Sequence, residues 1–345
     1  MEEDVHISSG MLCVDCHRNG LDHKMVRGFE NDNPESTSLT CAGCHLADID
    51  DQGRPVNGRL GAPVPRHEGL PPIHFEKLAC TACHSGSWPQ DMNILAKTSM
   101  AHRLGLHNSN KNNQALPHIL TPVFAKGQDN RYKPHNLLWP SYWAEIDSER
   151  IIPLKMDVFL PITRKIIAHI DSLDQNDWPE IADTTLVKAL DSLYKSKQLK
   201  NPPVYVTGGK VYFLDKQKQL KSRQDKDAQP YLWPIAHDVR PAEQSLGING
   251  CQDCHSPGSN FASADIFVDS PLKSIDETIQ MSTFLDKNIV YENVFASTFY
   301  VRPFFKYLLL SSFFILTAVV LIYGFMGLKN ILVFLSSGGI KGDSK

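Results

Sequence analysis

Polarity changes character three times along the chain. Residues 1–116 are rich in Gly, Pro, Asn and Asp and carry few periodic apolar runs, which predicts short helices joined by loops. Residues 117–235 are patterned differently. Pro161 followed by Ile162, Ile166, Ile167 and Ile170 has helical spacing, with the proline read at a first-turn position. Asp183 is read as the cap of a second helix that carries Leu186, Leu190 and Leu193 on one face. The stretch PPVYVTGGKVYFLD, two β-branched and aromatic runs around Gly208-Gly209, predicts a hairpin. Residues 236–303 return to short polar segments. Then Tyr307 to Leu328 runs for 22 residues without a charge. At about 1.5 Å per residue this spans the roughly 30 Å of a bilayer's hydrocarbon. Aromatic residues at both ends and the flanking Arg302, Lys306 and Lys329 fit interfacial anchors. A transmembrane helix is expected over 304–328.

Composition narrows the class without deciding it. With 345 residues and 42% apolar content the chain is neither disordered nor collagen-like. Lys+Arg 35 against Asp+Glu 38 leaves a formal charge of -3, which argues against a nucleic-acid binder. Nine Lys and Arg fall between 195 and 226. A solvated face explains them, or a surface that docks an acidic partner.

The eight cysteines carry more information. All fall in pairs followed at once by histidine: Cys13/Cys16/His17, Cys41/Cys44/His45, Cys80/Cys83/His84 and Cys251/Cys254/His255. C-x-x-C-H is the c-type haem attachment motif: two thiols add across the two vinyl groups of one porphyrin, and the adjacent imidazole is placed under the iron. Zinc held by Cys13/Cys16 with Cys41/Cys44 does not require a histidine after every second cysteine. A disulfide framework suits shorter exported chains, and a thioredoxin-like motif would occur once. Four c-type haems are the expected cofactors, with iron held proximally by His17, His45, His84 and His255. Porphyrin would then fill much of the interior of the first hundred residues.

Ten of the 14 histidines remain for the sixth iron position. His74 stands six residues before Cys80, His6 seven before Cys13, and His23 six after His17. His237 lies upstream of the isolated fourth motif, beside Asp238, and could serve that haem or one of the first three. His102 is a further candidate, with His67 and His107 ranked below it, and Met100 a possible thioether ligand. His169 reads as structural, His118 and His135 as loop residues beside prolines.

The motifs and extra histidines, over residues 6–107 and 237–255, resemble the multihaem c-type cytochromes. The resemblance implies a mainly α fold with extensive coil: a multihaem cytochrome c core organised around four haems, a mixed α/β insertion and one C-terminal transmembrane helix. The expected divisions are a three-haem region at 1–116, a haem-free insertion at 117–235, a fourth-haem region and linker at 236–303, the span at 304–328 and a cytoplasmic tail at 329–345. A single anchor with four haems is similar to the tetrahaem quinol dehydrogenases of nitrate and nitrite respiration. The C-terminal span and the distant fourth motif depart from that family, so quinol oxidation is not carried over.

Haem attachment of this kind takes place on the outer side of the bacterial cytoplasmic membrane, which implies residues 1 to about 303 on the periplasmic side and the tail inside. Residues 1–12 contain no signal-peptide pattern, so a leader is expected upstream. The implied activity is electron relay between a membrane redox subunit, cytochrome b-like or quinol-oxidising, and a periplasmic or extracellular electron carrier or enzyme. The rival class is a multihaem reductase or oxidase of a small nitrogen or sulfur compound, which needs one open iron position.

Overall fold

The computed structural model describes residues 4–17, 40–46, 48–49, 51, 55–58, 61–85, 122–167 and 181–337. The first part is built of single helical turns: α1 (Val5–Ser8), α2 (Cys13–Cys16), α3 (Cys41–His45), α4 (Ile73–Lys77) and α5 (Cys80–His84), with one small pair of strands, β1 (Asp48–Ile49) and β2 (Pro55–Asn57). Local polar bonds hold these turns. The Thr40 hydroxyl accepts from the Gly43 amide at 2.8 Å to cap α3, and Asp15 accepts from the Leu12 amide at 2.7 Å to close α2.

The next part is sheet. β3 (Val123–Lys126) and β4 (Tyr132–Leu138) pair antiparallel, and the later strand β10 (Tyr231–Pro234) adds to the other side of β4. β5 (Ser141–Asp147), β6 (Arg150–Pro153), β7 (Pro203–Thr207), β8 (Lys210–Leu214) and β9 (Leu220–Gln224) form a second antiparallel sheet in the order β6-β5-β7-β8-β9. Its central strand shows why the chain chose this form. Tyr205 points to one face with Trp143 and Tyr212, where α6 (Met156–Ile167) and α7 (Asp183–Lys195) pack with Phe159, Ile167, Leu186, Leu190 and Leu193. Val204 and Val206 point to the other face, with Ala144, Val211 and Ala228. At the β7–β8 turn, Gly208 and Gly209 have φ of 55° and 78°, a left-handed pair that only glycine adopts at little cost and that matches the strand twist.

The last part contains α8 (Gln252–His255), α9 (Asn260–Ser263), the paired strands β11 (Asp265–Phe267) and β12 (Thr278–Gln280), α10 (Met281–Phe284) and α11 (Ile289–Ser336). One apolar core runs from the third motif into this region: Ala82, Val123, Phe124, Leu137, Trp139, Ile266, Met281 and Leu285 are all buried together.

The fold therefore differs from the expected mainly α, coil-rich class. Among the described residues there are four antiparallel sheets, and the body is mixed α/β. The hairpin expected around Gly208-Gly209 is β7–β8; other strands escaped the sequence pattern for definite reasons. β4 contains Pro134, a residue that argues against a central strand, and exposed β9 carries only one apolar side chain. Pro161 is not at a first turn either; it is the sixth residue of α6, and Met156 begins the helix. Asp183 is the first residue of α7 rather than its cap, which is Ala182. His135 is no loop residue but a buried member of β4.

α11 is a single helix of 48 residues, about 72 Å long. The Asn288 side chain accepts from the Val290 and Tyr291 amides and starts it. Its first turns pack on α8 and α9, with Ala296 buried; the remainder is exposed and apolar. Among the described residues it is the one helix long and apolar enough to cross a membrane.

Candidate metal centres

Each C-x-x-C-H motif forms one helical turn. Positions i, i+3 and i+4 share a helix face, so this spacing brings both thiols and the imidazole to one side. Segments distant in sequence then deliver a second histidine to each motif. His17 faces His237, with Nε2 atoms 3.4 Å apart and ring centres 5.7 Å apart. His45 faces His6 at 6.1 Å between ring centres, His84 faces His67 at 6.2 Å, and His255 faces His74 at 6.1 Å.

The ring-centre separations fit a shared metal, while the 3.4 Å between the His17 and His237 Nε2 atoms is a direct hydrogen-bond contact that a bound metal would widen. With metal–nitrogen bonds of about 2 Å, two opposed imidazoles place their coordinating nitrogens about 4 Å apart and their ring centres about 6 Å apart. The other ring nitrogens fit as well. Nδ1 of His45 lies 2.8 Å from the Pro63 carbonyl, that of His74 3.2 Å from Pro71, and that of His84 3.2 Å from Arg240. Nδ1 of His6 lies 3.4 Å from the Asp4 carboxylate. An Nδ1–H that donates to these oxygens leaves the Nε2 lone pair aimed at the facing ring, the tautomer a metal ligand needs. Apolar side chains beside the motifs and their facing histidines in sequence are exposed: Leu12 and Val14 at the first motif, Ile7 beside His6, Ile73 and Phe75 beside His74, and Ile248 before the fourth motif. A histidine pair is also the donor set appropriate to haem, whose porphyrin supplies the remaining four nitrogens; among the described residues no group of three or more His, Cys, Asp and Glu converges on one point.

The motifs lie close enough to influence one another. A hydrogen bond with Cys80 and burial hold the Cys41 thiol well above its ordinary pKa. Burial raises Cys83 to about 11, with Cys80 adding to the shift. Burial, then the nearby Cys83, pushes Cys254 up further, and burial, then Cys44, raises Cys16. Neighbouring thiols thus run first motif to second, second to third, third to fourth. Backbone bonds lock the segments together: the Arg240 amide donates to the His84 carbonyl and the Leu246 amide to the Cys83 carbonyl, while the Val5 amide donates to the Val239 carbonyl. Asp4 completes that junction by accepting from the Val239 amide at 2.7 Å.

Of the sequence candidates, His74, His237 and His6 each meet a motif histidine. None meets the motif that follows it: His74 precedes Cys80 yet faces His255, His6 precedes Cys13 yet faces His45, and His237 precedes Cys251 yet faces His17. His23 and His102 lie outside the described residues, as do Met100, His107, His118 and His169. His67, ranked low from sequence, is the partner of His84. Its φ of 41° puts it in the left-handed region, a strain the chain tolerates where a side chain must be aimed. Partial desolvation, then the neighbouring His84 ring, lowers its pKa. His135 faces no motif; its Nδ1 donates to the Lys133 carbonyl at 2.9 Å inside the sheet.

Compared with known proteins, the chain matches no family model, no curated protein and no solved structure.

Proposed function

We propose that the chain is a membrane-anchored tetrahaem c-type cytochrome that relays electrons between a membrane redox subunit and an exported carrier or enzyme. The observation that carries this reading is the set of four histidine pairs, each joining one C-x-x-C-H histidine to a partner at the spacing of a shared iron. When bound, each haem supplies one iron that gains and loses a single electron. The eight cysteines would hold the porphyrins through thioethers. His17, His45, His84 and His255 would take the proximal positions, and His237, His6, His67 and His74 the distal ones. If both histidines of each pair held the iron, a small substrate would find no open position, which favours relay over the reductase reading.

The two ends of the motif series differ in a way that suits a relay. Both cysteines of the first motif, Cys13 and Cys16, are exposed, whereas in the fourth only Cys251 is, so the first is the more open to an exported partner. The fourth motif lies against α11, on the side from which a membrane subunit would approach. In this reading α11 crosses the cytoplasmic membrane, the body faces the periplasm and the C-terminal tail the cytoplasm, and the protein resembles the multihaem cytochromes in chemistry and attachment. The test is a steady-state assay of purified full-length protein with a reduced dye as donor. The proposal expects reversible reduction and no turnover of nitrite, hydroxylamine or tetrathionate; sustained consumption of any of them would overturn it in favour of the reductase.

A further inference from the structure

The start of α11 does more than anchor. Phe299 lies face to face on the His255 imidazole, with ring centres 4.9 Å apart and planes within 2° of parallel, and Phe295 meets the same imidazole edge-on at 5.4 Å. On Phe299 in turn sits the Arg302 guanidinium, 3.5 Å from the ring centre. Arg302 also stands at the start of the uncharged span, where a membrane surface would begin. One turn of helix therefore connects the membrane boundary to the histidine of the fourth motif through two stacked planar groups. Lys287 and Glu292, paired at 2.9 Å near the helix start, are the other charges close by, and being opposite they largely cancel.

We propose that Phe299 and Arg302 are positioning residues of the fourth haem site, through which the membrane anchor sets the orientation and reduction potential of that centre. This rests on the haem reading above. A parallel ring on the imidazole face restricts rotation of the His255 plane and keeps water from it. Arg302, a fixed positive charge, favours the ferrous over the ferric site, because reduction removes one positive charge there. Both effects act in one direction: they raise the potential of the site nearest the membrane. A shift of α11 along the membrane normal would move Arg302 and Phe299 with it, so the same contacts make this centre sensitive to what the helix docks against.

The test uses full-length protein in detergent, with Phe299→Leu, Phe299→Tyr, Arg302→Gln and Arg302→Lys, read by optical redox titration and by EPR of the oxidised form. F299L and R302Q are expected to lower one of four reduction steps and alter one low-spin signal, the same step and signal that a His74→Ala variant loses. F299Y and R302K are expected to retain both. Arg302 is exposed, so its variants separate tuning from folding. Unchanged steps in R302Q and F299L, or all four steps moving together, would overturn the inference while four haems remain bound. Absence of covalent haem from the parent protein would instead overturn the reading on which it rests.

Discussion

The Nε2 atoms of His17 and His237 face each other at 3.4 Å although 220 residues separate them in the chain. On the haem proposal, a metal bridging these nitrogens would close a loop of that length, and the His74–His255 pair another across the same insertion. Ligation and tertiary structure would then be one construction, because the α/β body between the third and fourth motifs sets how His237 and His255 return to the first part of the chain.

Each facing histidine has its own spectroscopic consequence. Replacing His6, His67, His74 or His237 by alanine should convert one low-spin haem in four to a high-spin form that binds cyanide or nitrite. His135→Asn should convert none, since His135 is bonded within the sheet. EPR of the four variants against that control checks the pairing residue by residue.

Ring orientation adds a finer expectation. The His17 and His237 planes stand at 87° and the His74 and His255 planes at 72°, whereas His67 and His84 stand at 52° and His6 and His45 at 56°. Perpendicular axial imidazoles leave the iron d-orbitals nearly degenerate, which yields the most anisotropic low-spin EPR signal. The steepest such signal should belong to the first centre and disappear in His237→Ala; its survival there would contradict the geometry.

Asp4 couples His6 to the junction of the chain. Its carboxylate accepts from the Val239 amide at 2.7 Å and lies 3.4 Å from Nδ1 of His6. Asp4→Ala should cost about 1–2 kcal/mol of stability through the lost charged hydrogen bond. It should also raise one reduction potential, because a carboxylate that polarises Nδ1–H makes His6 the stronger donor to ferric iron. Denaturant unfolding and redox titration of the same variant measure the two effects.

Stability should fall with acid through His135. Burial lowers its pKa to about 4, with the Lys133 charge adding to that shift; hydrogen bonds to Lys133 and Val123 and the Asp129 charge oppose it. Between its ordinary 6.5 and about 4, the unfolded chain takes up a proton that the folded chain refuses. The contribution is fully present above pH 6.5 and is lost as pH falls, by on the order of 3 kcal/mol at pH 4. Urea midpoints of the parent and His135→Asn, compared at pH 7 and pH 4.5, should converge at the lower value if this histidine is responsible.

Local structure was legible from sequence, and the long-range geometry was not. The i, i+3, i+4 spacing of each motif reads directly from residue types, as do the Gly208-Gly209 turn and the Leu186, Leu190, Leu193 face of α7. β4 was hidden because it carries Pro134 and His135, which the sequence pattern assigns to a loop. The facing histidines were hidden for another reason. His74 stands six residues before Cys80 but meets His255, and nothing in its neighbourhood encodes a partner that lies 181 residues later. His67 carried only one oddity, its left-handed backbone, and that exists only once the chain is folded.

The most direct test of the account is the spin count by EPR of the fully oxidised, full-length protein purified from membranes. Four low-spin ferric centres per chain, with no stoichiometric high-spin signal before or after nitrite, is the result the four histidine pairs predict. Fewer than four centres, or one high-spin centre per chain that shifts with nitrite, would contradict it.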